Sequence, residues 1–101
     1  LVDIQPFKSI TQKIVLTRLS ALNQTHGIQG ALVEQKDFNF NRDGDYLITR
    51  KSGVGLGVLT ADCLPLILHD AKQNAIAAIH AGWRGAVAGI LGYVIEHMGA
   101  T

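Results

Sequence analysis

The sequence predicts an α/β (α+β) domain, with mixed β-sheet layers packed against helices. Three observations predict it. Short apolar runs at residues 28–34, 46–49, 54–60, 64–68 and 75–79 are separated by clusters of Asn, Asp, Gly and Ser, the pattern of strands and turns. From Trp83 the apolar spacing changes to a helical period. The chain is 48% hydrophobic and 17% charged over 101 residues, which is enough apolar material for one small core.

Each element has its own signal. Residues 1–22 are ambiguous: Ile14, Val15 and Leu16 suit a strand, or part of a short helix running to Leu22. Residues 23–27 read as a loop and 28–34 as a strand. Residues 35–44 are polar, with Asn39, Asn41, Asp43 and Gly44 as turn formers. Tyr46–Thr49 is a short strand by β-propensity, followed by a turn at 51–53. Residues 54–60 form a buried strand thinned by Gly55 and Gly57. In the run 64–68, Pro65 favours a strand start or a sheet edge. Residues 69–74 read as a polar turn and 75–79 as a further strand.

Trp83, Val87, Ile90, Leu91, Val94, Ile95 and Met98 form one stripe of a single C-terminal helix capped by Gly99. Gly85, Gly89 and Gly92 on the other side suggest a closely approaching backbone. No internal repeat or linker divides the chain, so residues 1–101 are expected to form one domain. The lack of an initiator Met and the stop just after a helix suggest a partial one.

Composition also excludes several functions. A net charge of +1 without a basic cluster gives nucleic acid nothing to bind. No apolar run reaches the ~18 residues of a membrane span, and residues 1–10 do not read as a signal peptide. A single Cys rules out an internal disulfide and fits a reducing, cytoplasmic setting.

Chemistry concentrates at two strand ends, where α/β folds place their sites. One carries Asp62 and Cys63, the other His80. The 17 residues from Cys63 to His80 allow a strand out, a turn and a neighbouring strand back. The pair admits three readings: a thiolate–imidazole catalytic pair, two ligands of a metal site needing a third, or a buried Cys without chemistry. Trp83 reads as a core anchor, with base stacking as a minor alternative. His69 reads as a solvated loop residue, and His97 as a cation favouring a helix C-terminus.

Residues 60–91, with their TADCLP and HAGWRG blocks, resemble the signature stretch of the YfiH-type laccase-domain (polyphenol oxidase) family. Upstream, Gln24-Thr25-His26-Gly27 is similar to the family's Gln-x-His-Gly element, and DYLIT (45–49) to the strand that follows it. The resemblance covers about residues 23–91. It implies a fold like that of the YfiH proteins and the cytotoxic-necrotising-factor cysteine hydrolases, here incomplete.

It also implies that His26, Cys63 and His80 bind one metal ion. Two imidazoles and one thiolate leave a fourth tetrahedral position open, the form of a catalytic zinc site. Copper is the competing metal, but a type-1-like copper set uses a weak axial Met. The sole Met, Met98, lies on the helix core stripe, and four His are too few for a multicopper oxidase.

The activity implied is that of a purine nucleoside enzyme, performing phosphorolysis of adenosine, inosine or methylthioadenosine and deamination of adenosine. Arg84, beside the helix start, is the candidate phosphate or substrate ligand. Asp62, next to Cys63, is the candidate carboxylate that orients His26 or His80 from behind or carries a proton, with a turn-capping Asp as the alternative. The P-C-x-x-C signature of zinc nucleoside deaminases is absent. The alternatives are a Cys–His thiol hydrolase, a copper-dependent polyphenol oxidase, a role in peptidoglycan-precursor editing and an inactive structural fragment. Expected partners are a purine nucleoside and phosphate, with a homo-oligomer in which two chains complete one site as a further option.

Overall fold

The computed structural model describes residues 18–99. Ile14, Val15 and Leu16 lie outside the described residues. Seven strands and two helices follow one another: β1 (Arg18–Asn23), β2 (Gly30–Leu32), β3 (Asn39–Asp43), β4 (Tyr46–Thr49), β5 (Val54–Gly57), β6 (Leu64–Asp70), β7 (Ala75–Ala81), α1 (Trp83–Ala88) and α2 (Ile90–Met98). The mixed α+β expectation holds.

The strands form two sheets. One has the order β3-β1-β5, with β1 parallel to both neighbours. The other has the order β2-β4-β7-β6, with β4 parallel to β2 and β7 antiparallel to both β4 and β6. β4 explains the layering. All four of its residues are buried. Side chains alternate across a strand, so Leu47 joins Leu22, Val33, Phe38 and Val54 between the sheets. Tyr46 and Ile48 face the other way, into a core with Ile90, Val94 and Met98 of α2. β7 puts Ala75, Ala77, Ile79 and Ala81 into that same core. The three of its alanines that face this core leave room for α2 to pack close to the sheet.

Several sequence expectations change. Residues 18–22 are strand rather than helix, because β1 is hydrogen-bonded on both sides and buries Ser20, Ala21 and Leu22. The strand at 28–34 shortens to Gly30–Leu32. Within the polar segment 35–44, Asn39–Asp43 is a strand at a sheet edge. Its backbone ladder to β1 holds it while most of its side chains stay in water, so hydropathy carried no sign of it. β5 ends at Gly57, short of Thr60. β6 and β7 run longer than expected, to Asp70 and Ala81, and Pro65 does lie on an edge strand.

The single C-terminal helix is two helices. Gly89 has φ 84° and ψ 37°, a left-handed conformation that ends α1 and starts α2. The break divides the apolar stripe. Ile90, Val94 and Met98 are buried, whereas Trp83 is 74% exposed and is not a core anchor. The glycines also differ in purpose. A Cβ on Gly85 would lie 2.9 Å from the Gly27 carbonyl oxygen, so a backbone does approach there, but Gly92 faces open space. Gly99 caps α2 as expected.

Gly92→Ala is therefore expected to stabilise the fold by roughly 0.5–1 kcal/mol, the helix-propensity difference. Gly89→Ala, forced into a left-handed backbone, is expected to destabilise it by about 1–2 kcal/mol. Urea denaturation of the two variants checks both signs.

Candidate metal centre

Three separate pieces of chain build the site. The first is the β6–β7 hairpin. Its register pairs Leu64 with Ala81 and Pro65 with His80. Cys63, just before β6, is thereby brought opposite Gly82, just after β7. The second piece is the turn after β1, which carries His26. The third is Asp45, at the entrance to β4.

The donor atoms of His26, Cys63 and His80 all lie within 4.8 Å of one another. The three residues proposed as ligands from sequence are thus brought together. Their burial is graded: His80 is buried, Cys63 is a partly exposed free thiol and His26 is exposed. The imidazoles of His26 and His80 meet edge to face, with centroids 5.0 Å apart. Tetrahedral zinc with N and S ligands needs donor separations of about 3.3–3.6 Å. Two imidazole nitrogens and one sulfur are a donor set that suits such an ion.

Asp45 organises the cluster. It is 1% exposed, yet its carboxylate has five hydrogen-bond donors around it. Oδ2 accepts from the Thr25 backbone N–H at 3.2 Å, the Thr25 hydroxyl at 3.1 Å and the Gly27 N–H at 2.9 Å. Oδ1 accepts from the His26 N–H at 3.0 Å and lies 2.9 Å from His80 Nδ1. Burial pushes the Asp45 carboxyl pKa up. The hydrogen bonds from His80 and from the backbone of Gly27, His26 and Thr25 outweigh that and hold it below the ordinary carboxylate value. An ionised carboxylate only accepts, so His80 Nδ1 carries the proton. Nε2 is then the ring nitrogen with a free lone pair, the tautomer a metal ligand requires.

The same carboxylate holds an unusual backbone. His26 has φ 61°, the left-handed region that non-glycine residues seldom occupy. Three successive N–H groups, from Thr25 to Gly27, converge on Asp45 and offset that strain. Asp45 also makes backbone bonds to both flanks, donating to Gln29 O and accepting from His80 N, each at 2.7 Å.

Gly82 serves the site through its size. Its φ of −75° and ψ of 169° suit any residue. A Cβ there, however, would sit 3.1 Å from His26 Cδ2 and 3.5 Å from Cys63 Sγ. Thr25, His26, Cys63, Gly82, Trp83 and Arg84 line a cleft of about 370 Å³ at the cluster. Arg84 lies over the Trp83 ring at 5.3 Å.

The remaining candidates fall elsewhere. Asp62 is exposed in the loop before Cys63, and the carboxylate that meets His80 is Asp45. Sequence reasoning passed over Asp45 as part of a strand motif. The available signal was an acidic residue directly before the wholly apolar start of β4. His69 is exposed on β6 rather than in a turn. His97 sits in the last turn of α2, with Nδ1 2.6 Å from the Tyr93 carbonyl oxygen. Met98 is buried in the helix-side core and does not line the cleft.

Residues 5–101 match the multi-copper polyphenol oxidoreductase laccase family, and the chain belongs to it. A purine nucleoside phosphorylase of Deinococcus radiodurans is 43% identical over 77 residues, covering 76% of this chain and 29% of the relative. Adenosine deaminase RL5, from an unknown prokaryotic organism, is 38% identical over 89 residues, covering 77% of this chain and 34% of the relative. The crystal structure of the Bacillus licheniformis protein YfiH shares the fold at a TM-score of 0.81 and 22% identity, over 96% of this chain and 40% of that one. The resemblance expected from TADCLP and HAGWRG is borne out. The chain spans about a third of the length of the curated relatives it matches.

Asp45→Asn keeps the shape but removes the charge that orients His80. A 10–100-fold loss of affinity for a divalent metal ion is expected, as for other residues that hold a metal ligand. Gly82→Ala is expected to weaken metal binding by crowding His26 and Cys63, with little change in thermal midpoint. Competition titration against a chromophoric chelator measures both effects.

Proposed function

We propose that this member of the laccase family is part of a metal-dependent purine nucleoside enzyme, with zinc held by His26, Cys63 and His80. The observation that supports it most is the convergence of two imidazoles and one thiol at an open cleft, with His80 oriented by a buried carboxylate. The names of the two relatives, a phosphorylase and a deaminase, support the substrate class. Zinc held by His26, Cys63 and His80 would supply Lewis acidity and lower the pKa of a water bound to it.

The chain's own residues do the rest. Asp45 keeps the proton on His80 Nδ1. Arg84 lines the cleft and brings a cation for phosphate or another substrate anion. The exposed indole of Trp83 offers a face for a planar base. Asp62, exposed beside Cys63, is the carboxylate available to carry a proton to or from substrate. Zinc suits this set better than copper, because the sole Met is packed in the core. No helix among the described residues is long and apolar enough to cross a membrane. The lone free thiol favours a cytoplasmic setting.

A second reading has one specific observation in its favour. Without metal, Cys63, His80 and Asp45 make a thiol–imidazole–carboxylate series, the order used by cysteine hydrolases.

Elemental analysis of the purified chain, run beside inosine and adenosine phosphorolysis and adenosine deamination assays, separates the two. About one zinc per chain, lost together with any activity in Cys63→Ala and His26→Ala, is the expected result. A metal-free chain whose Cys63 alkylates fast and with a pH dependence, indifferent to His26→Ala, would overturn the metal reading. Arg84→Ala is expected to raise KM for phosphate roughly tenfold or more, the loss of a charged hydrogen bond.

A further inference from the structure

Asp45 ties down His26 and His80, but it makes no hydrogen bond to the loop that carries Cys63. That loop, between β5 and β6, is held in a different way. The parallel ladder of β1 and β5 ends at the pair Ala21 and Gly57. Two residues beyond Gly57, the Leu59 peptide is gripped by a side chain. Gln24 Nε2 donates to the Leu59 carbonyl oxygen at 2.7 Å, and the Leu59 N–H donates to Gln24 Oε1 at 2.7 Å. The carboxamide thus acts as one more rung of the sheet, made by a side chain after main-chain pairing has stopped. Further along the loop, the Thr60 hydroxyl donates to the Cys63 carbonyl oxygen. Gln24 lies two residues before His26, and Leu59 four before Cys63.

We propose that Gln24 is the positioning residue for Cys63, its carboxamide clamping the Leu59 peptide so that the thiol is held against His26 and His80. The inference rests on reading the three residues as a metal site. A loop with one end in β6 and the other free past Gly57 would let Sγ swing away from the two imidazoles. The clamp removes that freedom, and it does so from the segment that carries His26. The two ligand loops are therefore linked to each other as well as to the sheets. Only an amide of this length performs the task, since it must accept from an N–H and donate to a carbonyl at once.

The test compares the chain with Gln24→Ala and Gln24→Glu. Glu keeps the length and the acceptor but has no donor for the Leu59 carbonyl. Co²⁺ serves as a spectroscopic probe of the site, and iodoacetamide as a probe of Cys63 in the metal-free chain. Both variants are expected to bind Co²⁺ about tenfold more weakly, the scale for residues that orient a metal ligand. The thiolate-to-cobalt charge-transfer band should weaken while the ligand-field bands persist. In the metal-free chain, Cys63 should alkylate several-fold faster. General loosening of the fold would lower the thermal midpoint and affect all bands together, and that result would overturn the proposal. So would wild-type affinity, band intensity and alkylation rate in both variants. If the wild-type chain binds no Co²⁺, the metal reading fails on its own. The alkylation rates then decide the Gln24 proposal: faster in the variants supports it, unchanged overturns it.

Discussion

A buried carboxylate with five donors around it is the interaction on which the site depends. Burying an ionised group without partners costs several kcal/mol, so such groups survive only when fully satisfied. Asp45 is satisfied by the backbone of residues 25–27, the Thr25 hydroxyl and His80. The requirement runs in both directions. The carboxylate needs those donors to remain charged in the interior, and the left-handed turn at His26 needs the carboxylate. One residue therefore decides where one candidate ligand sits, which tautomer a second adopts, and how the turn after β1 meets the central sheet.

Around that anchor, the site is assembled by register. Antiparallel pairing of β6 with β7 places the start of one strand beside the end of the other, and so Cys63 beside Gly82 and His80. A slip of one residue would turn His80 to the opposite face of the sheet. The alternation that sends Ala77, Ile79 and Ala81 into the helix-side core opposes such a slip, because it would take Ile79 out of that core and put the polar His80 into it. The apolar core thus enforces the geometry of the polar site beside it.

The break at Gly89 has a similar consequence. A continuous helix from Trp83 to Met98 would have drawn Trp83 onto the core stripe. By turning the chain there, Gly89 lets Ile90, Val94 and Met98 pack while Trp83 and Arg84 stay at the cleft. An exposed Trp is costly in water unless something covers it. Here it lies beside the candidate metal ligands, with Arg84 over its ring.

The sequence by itself determined the strand-rich α+β class, the short strand β4, the paired strands flanking the 71–74 turn, and the residues suited to metal binding. These are local properties: β-propensity, period and donor chemistry are written residue by residue. It also carried the motif blocks that place Cys63 and His80. Tertiary structure alone decided the rest. Asn39–Asp43 is a strand because β1 offers it a ladder, which no polar side chain announces. Trp83 is outside the core because one glycine adopts a left-handed conformation. Asp45 and Gln24 reveal their roles only through partners 18 to 35 residues away. Sequence shows what each group can donate or accept, but which groups meet is settled by the burial of the whole chain, since only there does an unpaired charge or peptide become costly.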